Sequence, residues 1–305
     1  MIEHKNLITN SHGQRRALIM CLHDPSGDPR PMRTIQTLKS ESYYVVCLGA
    51  SLENDLDIDV MIDIPALSRS FLSKILNRLR LLILPYLILF PLGNRYHNLL
   101  NNYRYRVGRV KEQLMAHTYN LVVVEDIQLL PLALNVCGNA KLIFDAREYY
   151  PRQNEDNWQF IIFERKERFR LCREYLNKCD LVTTVSSGLA TAYQEEFQVT
   201  PKLLLSYPKH HDIHPTIVES GIVRMVHHGV ANENRNLNNM IEIMRRLDKR
   251  FTLDFYLTGS MRYINTLKAQ SEDVENIRFN SPVNFQNIIP MLNSYDIGFY
   301  YLEPK

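Results

Sequence analysis

The chain has 305 residues, of which 45% are hydrophobic and 23% charged, and its formal net charge is +3. This composition is typical of a soluble globular protein of about two domains and excludes a disordered chain. The five cysteines are odd in number and include no CxxC pair, so we expect neither a disulfide framework nor a zinc site. Residues 1–16 contain no apolar stretch before a cleavage site, so we expect a cytoplasmic protein.

The first part of the chain alternates short apolar runs with amphipathic segments. Strands are predicted at residues 17–22, 43–50, 57–65, 119–126, 142–144 and 181–185, and helices near 32–39, 129–136 and 158–177. Buried runs separated by amphipathic helices are typical of parallel strands in an α/β sheet. We therefore predict a Rossmann-like, doubly wound first domain at residues 1–215.

The alternation restarts after a polar linker at residues 211–220. Strands are predicted at residues 223–229, 253–259, 276–283 and 297–302, with helices between them. This pattern predicts a second Rossmann-like domain at residues 216–305. Because such a domain usually needs further βα units to cover its sheet, we expect it to be incomplete.

Residues 64–111 are the most strongly basic part of the chain. They include nine basic residues and no acidic one, and they contain the apolar run 81–92, which Pro85 and Pro91 interrupt. This run is too short to span a bilayer, but apolar surface flanked by Lys and Arg suits the headgroup region of an anionic membrane. We predict peripheral contact with the inner face of the plasma membrane through four residues: Arg78, Arg80, Leu84 and Leu87.

The same residues allow two other interpretations of the basic segment. The segment could form an internal helix whose leucines lie in the core and whose basic face is solvated. Nucleic-acid binding would call for an aromatic-rich strand or a recognition-helix pattern beside the charge. Neither pattern accompanies it, so we expect no nucleic-acid partner.

Four segments, in order, resemble a known enzyme family. DAREYYP at residues 145–151 resembles the D-A-H-E-x-(F/Y)-P segment of the family 4-like glycosyltransferases with the GT-B fold. Residues 180–193 resemble the strand and helix that follow it in that family. The segment starting MVHHGVANENRN at residue 225 resembles the first strand, glycine turn and basic residue of the family's second domain, and residues 294–304 resemble a later strand.

The resemblance implies a GT-B fold, with residues 1–215 as the acceptor-side domain and residues 216–305 as the nucleotide-sugar domain. The implied reaction is transfer of a sugar from a nucleotide diphosphate donor to a hydroxyl, with retention of anomeric configuration. It implies a nucleotide-sugar as co-substrate, no metal or other cofactor, and a glycan or lipid-linked acceptor in surface polysaccharide or glycolipid synthesis. The histidines at residues 210–214 and 227–228 lack a usual zinc spacing, so they predict no metal site either.

Arg235 is the first candidate for donor binding. It lies six residues after Gly229, between a predicted strand and a predicted helix, where backbone N–H groups and a guanidinium can bind phosphate. In the resembled family the matching basic residue neutralises the departing diphosphate, whereas Val230 stands where a second basic residue is often found. Gly27, after the first strand, and Gly259, at a second-domain strand end, are further donor candidates. A solvated arginine and ordinary tight turns are the alternatives.

Asp145, Glu148 and Asp126 are the candidate catalytic residues. Each lies at or just beyond the end of a predicted strand, where a carboxylate could orient an acceptor hydroxyl. Arg147 stands where the resembled family has His, and together with Arg33 it is the candidate for binding a phosphate on the acceptor. A structural ion pair or a helix cap is the alternative for these residues.

The resembled enzymes carry two glutamates, eight positions apart, beyond the strand that matches residues 297–302. They are expected to bind the nucleotide ribose and the transferred sugar. The sequence ends at Lys305 before such a motif, so the resemblance implies a truncated second domain. A catalytically inactive GT-B remnant, acting as a membrane-associated binding or scaffold protein, is therefore an alternative function. A sugar-nucleotide epimerase is a third, disfavoured by DAREYYP and VSSGLATAY.

Overall fold

The computed structural model describes residues 13–50, 56–64, 107–215, 217–218 and 221–301. The chain divides into two compact units, Met1–Tyr207 and Pro208–Lys305. Each unit contains a parallel β-sheet with helices packed against it.

Among the described residues, the first unit has a sheet of seven parallel strands in the order β3-β2-β1-β4-β5-β6-β7. The strands are β1 (Arg16–Met20), β2 (Tyr44–Gly49), β3 (Val60–Asp63), β4 (Leu121–Val124), β5 (Lys141–Ala146), β6 (Leu181–Thr184) and β7 (Lys202–Leu203). The helices are α1 (Pro29–Ser40), α2 (Val107–Met115), α3 (Leu130–Val136), α4 (Arg165–Tyr175) and α5 (Ser187–Phe197). Since β4 pairs with both β1 and β5, the carboxyl ends of these three strands are neighbours.

The central strands form because their apolar runs are buried on both faces of the sheet. Along β1, Leu18 and Met20 belong to the core cluster that includes residues of α2, α3, α4 and α5. Ala17 and Ile19 belong to the opposite cluster, which includes Ile35 of α1. The helices therefore cover both faces, which is the doubly wound arrangement.

Among the described residues, the second unit has a sheet of four parallel strands in the order β10-β9-β8-β11. They are β8 (Val223–Ala231), β9 (Phe251–Gly259), β10 (Ile277–Asn280) and β11 (Ile297–Gly298), joined by α6 (Asn238–Arg246), α7 (Met261–Gln270) and α8 (Ile288–Leu292). Met225 of β8 and Phe255 of β9 share one core cluster with Met240 of α6 and Leu267 of α7.

The predicted α/β class with two doubly wound parallel sheets is confirmed. Several bounds differ from the prediction; the strand predicted at residues 297–302, for example, is only Ile297–Gly298. The short edge strand β7 was not predicted, because its two exposed residues are defined by pairing with β6 and not by burial. The helix predicted from residue 158 does begin there, but it contains a π-helical turn at Phe160–Glu164 before the α-helix Arg165–Tyr175.

The residues predicted to contact a membrane, Arg78, Arg80, Leu84 and Leu87, lie outside the described residues. Within the described ranges, no helix is long and apolar enough to cross a bilayer. Membrane contact therefore stays a prediction that rests on the sequence.

Candidate functional site

Ionisable side chains converge at the carboxyl ends of β1, β4 and β5, the edge where open α/β sheets bind ligands. We call this group the strand-end cluster; its members are His23, Asp28, Glu125, Asp126 and Arg147. His23 and Asp28 follow β1, Glu125 and Asp126 follow β4, and Arg147 follows β5. Arg147 donates to Asp28 although the two residues are 119 positions apart.

Asp28 and His23 form the charged centre of the strand-end cluster. The Asp28 carboxylate caps α1 by accepting from the backbone N–H of Arg30 at 3.0 Å, and it lies 3.3 Å from Nε2 of His23. Burial alone would raise the pKa of Asp28, but hydrogen bonds from His23 and Arg30 and the charge of Arg147 lower it. Hydrogen bonds to Asp126 and Asp28 raise the pKa of His23 to about 9, so its imidazole is a cation at neutral pH.

Glu125 lies beneath this centre and is fully buried. Its Oε2 is 3.6 Å from Nε of Arg147, and within the described part of the chain neither carboxyl oxygen has a hydrogen-bond partner. Burial and then the charge of Asp145 raise the pKa of Glu125 to about 8, against the opposing effect of Arg147. Glu125 is therefore an uncharged acid at pH 7, and the cluster holds two cations and two carboxylates.

Asp145 is buried next to the cluster in a network of its own. Arg30 binds it with both Nε and Nη2, the latter 2.7 Å from Oδ1, and the Thr183 hydroxyl donates to the same oxygen at 2.6 Å. Arg30 also donates to the carbonyl of Leu204 at 2.8 Å. This two-point ion pair joins α1 to β5 and β6, and it leaves the carboxylate fully engaged.

The other candidates in the first unit have different surroundings. Asp126 accepts from the backbone N–H of Leu22 at 2.7 Å, and Glu148 is exposed. Arg33 on α1 donates to the Ser206 hydroxyl at 2.6 Å and to the carbonyl of Tyr207. Gly27 ends a 3₁₀ turn in open space, where a Cβ would meet no atom within 4 Å.

Of the residues at and beside the strand-end cluster, Asp126 and Arg147 were predicted from the sequence as site residues. His23, Glu125 and Arg30 were not. A charged residue directly after the apolar run LVVV was the available signal for Glu125, because the chain there is still enclosed by neighbouring strands. His23 carried no such signal, since its carboxylate partners come from two separate loops. Across the described residues, no group of His, Cys, Asp and Glu side chains is placed to hold a metal ion.

In the second unit, the turn after β8 brings Gly229 and Arg235 together. The Asn232 side chain accepts from the backbone N–H of Asn234 at 3.1 Å and starts the 3₁₀ turn Glu233–Arg235, which is followed by α6. Gly229 has a φ of +141°, and a Cβ there would lie 3.2 Å from Nη1 of Arg235. The guanidinium thus packs on the backbone of Gly229. The φ of this glycine is one that residues with a side chain rarely adopt.

A cleft of about 330 Å³ lies beside this turn and is lined by residues of β8, the turn and the chain after β11, among them His227, His228, Arg235, Phe299 and Tyr300. The His227 ring is buried, and its Nδ1 is 3.0 Å from the carbonyl oxygen of Phe299. Burial, with smaller effects of His228 and Arg235, lowers the pKa of His227 despite the Phe299 contact.

Gly259 ends β9 opposite Ala231, the last residue of β8. Its φ is +98°, and a Cβ would lie 3.0 Å from Cγ1 of Val230 and 3.3 Å from the carbonyl oxygen of Ala231. The close approach of the two strand ends therefore requires glycine. The predicted donor residues Gly229, Arg235 and Gly259 all lie at the carboxyl edge of the second sheet.

Two α/β units, each with polar groups at the carboxyl edge of a parallel sheet, are the architecture of the GT-B fold. Solved structures bear this out. The Anabaena protein Alr3699/HepE, in complex with UDP and glucose, matches with a TM-score of 0.60 and 11% identity over 94% of this chain and 74% of that one. WaaG, a glycosyltransferase involved in lipopolysaccharide biosynthesis, matches with a TM-score of 0.59 and 12% identity over 93% and 74%.

An α,α-trehalose-phosphate synthase (UDP-forming) from Burkholderia vietnamiensis matches with a TM-score of 0.56 and 12% identity over 93% of this chain and 78% of that one. No protein-family model and no curated protein sequence matches the chain. The chain has the GT-B fold, as the sequence motifs predicted.

Proposed function

We propose that the chain is a glycosyltransferase that moves a sugar from a nucleotide diphosphate donor to a hydroxyl acceptor with retention of configuration. The observation that carries the proposal is the Arg235 guanidinium packed on Gly229 at the carboxyl end of β8. In a GT-B fold this is the position for a donor phosphate, and the UDP-bound HepE structure has the same overall fold.

In the proposed reaction, the second unit holds the donor and stabilises its leaving group. A guanidinium presents paired N–H donors that match two oxygens of a phosphate. As the bond to the sugar breaks, negative charge grows on the diphosphate, and Arg235 faces that charge. Val230 stands where the resembled family often has a second basic residue. Arg235 therefore carries a large share of the stabilisation of the leaving diphosphate. We propose no metal ion in this step.

The first unit is proposed to hold the acceptor at the strand-end cluster. His23 and Arg147 are cations with partly exposed side chains, so they can donate hydrogen bonds to a hydroxyl or to a phosphate on a lipid-linked acceptor. Asp126 and the exposed Glu148 supply acceptor oxygens that can orient a hydroxyl. Asp145 is proposed to act through Arg30, by fixing the start of α1 and hence the Asp28 cap.

Similarity to WaaG, a glycosyltransferase involved in lipopolysaccharide biosynthesis, favours an acceptor from surface polysaccharide or glycolipid synthesis. The basic segment around Arg78 and Arg80 would then bring the protein to an anionic bilayer. This part of the proposal rests on the sequence, since these residues lie outside the described ranges.

The first test is thermal unfolding of the 305-residue chain with UDP, GDP, ADP and CDP. A ligand at 100 times its Kd stabilises the fold by about 2.7 kcal/mol, which raises the unfolding midpoint. We expect one nucleotide to raise it, Arg235→Ala to abolish the rise, and Arg246→Ala, an exposed arginine on α6, to retain it. If none of the four nucleotides raises the midpoint, the donor site does not exist and the non-catalytic alternative takes its place.

Incubation with the matching nucleotide-sugar then tests the chemistry. Transfer to an acceptor, with the anomeric configuration read by NMR, would support a retaining glycosyltransferase. Conversion of the sugar-nucleotide into an epimeric sugar-nucleotide, without any acceptor, would instead identify an epimerase.

A further inference from the structure

Among the residues that the structure describes, the buried imidazole of His227 presents an unpaired hydrogen-bond acceptor beside the cleft lined by Arg235 and Tyr300. Its Nδ1 lies 3.0 Å from the carbonyl oxygen of Phe299, and a carbonyl oxygen only accepts, so Nδ1 carries the proton. Burial lowers the pKa of His227, so the ring is neutral at pH 7 and Nε2 is unprotonated. Within the described residues, Nε2 has no hydrogen-bond partner.

An unpaired buried acceptor is costly, so it indicates a partner that arrives with the ligand. Two ring neighbours flank His227. Phe255 is fully buried and packs against it edge-on at 5.8 Å between centroids, while Tyr300 stacks on it at 5.6 Å and is half exposed. Tyr300 is therefore the neighbour that an incoming ligand group can displace to reach Nε2.

The surroundings of Nε2 define the chemistry of that group. Arg235 lines the same cleft and is close enough to influence the titration of His227, so an anion bound by Arg235 would lie near the imidazole. The ligand therefore combines an anionic group with a neutral hydrogen-bond donor. A nucleoside diphosphate-sugar has this combination, because hydroxyl groups flank its diphosphate on both sides, on the ribose and on the transferred sugar.

We propose that Nε2 of His227 accepts a hydrogen bond from a hydroxyl of the bound nucleotide-sugar and so selects ligands that carry this hydroxyl. The inference rests on the proposed function, since it assumes that the cleft binds the donor. It makes His227 a specificity residue, whereas Arg235 supplies the general attraction for phosphate.

Two substitutions test the roles of the two ring nitrogens of His227 independently. In His227→Asn, the shorter amide can still donate to Phe299 from the Nδ1 position but has no atom at the Nε2 position. In His227→Gln, the amide oxygen can reach the Nε2 position and accept a hydrogen bond. His210→Asn, an exposed histidine of the same unit, is the matched control.

Isothermal titration would measure the affinity of each variant for UDP, GDP, ADP and CDP and for their glucose conjugates. We expect His227→Asn to weaken binding about 3- to 10-fold, the value of one neutral hydrogen bond, with His227→Gln and His210→Asn close to the unchanged protein. Equal losses for the diphosphate and its conjugate would assign the hydroxyl to the ribose. A loss confined to the conjugate would assign it to the sugar.

Other outcomes overturn the inference in distinguishable ways. Unchanged affinity in His227→Asn, with weaker binding in Arg235→Ala, would refute the role of His227 and leave the proposed function standing. Equal losses in both His227 variants would mean that the ring is only structural. Absence of binding by the unchanged protein would refute both proposals. Should the variants not fold, ¹⁵N NMR of the unchanged protein decides: a constant Nε2 resonance on saturation with ligand refutes the hydrogen bond.

Discussion

Replacing Glu125 with glutamine should alter the pH dependence of the free energy of unfolding. The pKa of this buried carboxyl is about 8 in the folded protein against an ordinary value of 4.5. Between these two values the folded state holds a proton that the unfolded state releases. Stability is therefore lost as the pH rises from about 4.5 to about 8, and glutamine, which does not titrate, removes this loss.

The magnitude follows from the two pKa values. One pH unit corresponds to about 1.4 kcal/mol, so integration between pH 5 and pH 8 gives about 3.5 kcal/mol as an upper value for the group. The amide also introduces a buried NH₂ group, whose desolvation costs about 1–3 kcal/mol at every pH. The informative quantity is therefore how the difference in the free energy of unfolding between the two proteins changes with pH. The cost of the amide is the same at every pH, so it does not affect this change.

Urea unfolding at pH 5, 6, 7 and 8, followed by far-UV circular dichroism, measures this difference. We expect Glu125→Gln to gain stability relative to the unchanged protein by about 2–3 kcal/mol over this range. Glu195→Gln, at an exposed position on α5, is the control and should show a flat difference. A flat difference for Glu125→Gln as well would mean that Glu125 is ionised in the folded protein and paired with Arg147, which refutes the charge balance derived for the strand-end cluster.

The remaining predictions concern the turn that brings Gly229 and Arg235 together and the predicted contact with a membrane. Gly229→Ala introduces a Cβ at a φ of +141°, 3.2 Å from the Arg235 guanidinium, so we expect about 1–3 kcal/mol lower stability and a weaker nucleotide response in thermal unfolding. An unchanged midpoint and response would contradict the packing of Arg235 on Gly229. Arg78→Glu with Arg80→Glu should release the protein from anionic liposomes in a sedimentation assay, because each basic group near such a surface contributes about 1 kcal/mol. Undiminished sedimentation would remove the predicted membrane role of these two residues.

Local patterns placed Gly229 and Arg235 between a strand and a helix, as the structure does, because these parts are close in the sequence. Gly229 and Arg235 are separated by one turn, and the alternation of strand and helix around them places both at the end of a parallel strand. The packing of the Arg235 guanidinium on Gly229 was not predicted and is seen only in the structure. The role proposed for His227 could not be predicted from the sequence, because only its neighbours His228 and Gly229 draw attention to it there. Its partner Phe299 is 72 positions away, so the tautomer that leaves Nε2 unpaired depends on the pairing of β11 with β8.

The strand-end cluster shows the same contrast between local and distant information. Asp145 has the sequence position of a catalytic carboxylate, yet in the fold it lies in an ion pair with Arg30, 115 positions away. Glu125 is fully buried, and its position directly after the apolar run LVVV is a local sign of this, whereas the next residue, Asp126, accepts a backbone hydrogen bond from Leu22. The partners of Asp145 and Asp126 lie far away in the sequence, so no local pattern indicates them.

The sequence by itself determined the α/β class, the parallel strands and the loops that carry the polar groups. It could do so because burial of short apolar runs and glycine conformations are properties of neighbouring residues. Only the tertiary structure decided which ionisable groups meet, which are protonated and which are held in ion pairs. These properties depend on strand order and on distances between residues that are far apart in the sequence, and electrostatic energies change steeply with both distance and burial.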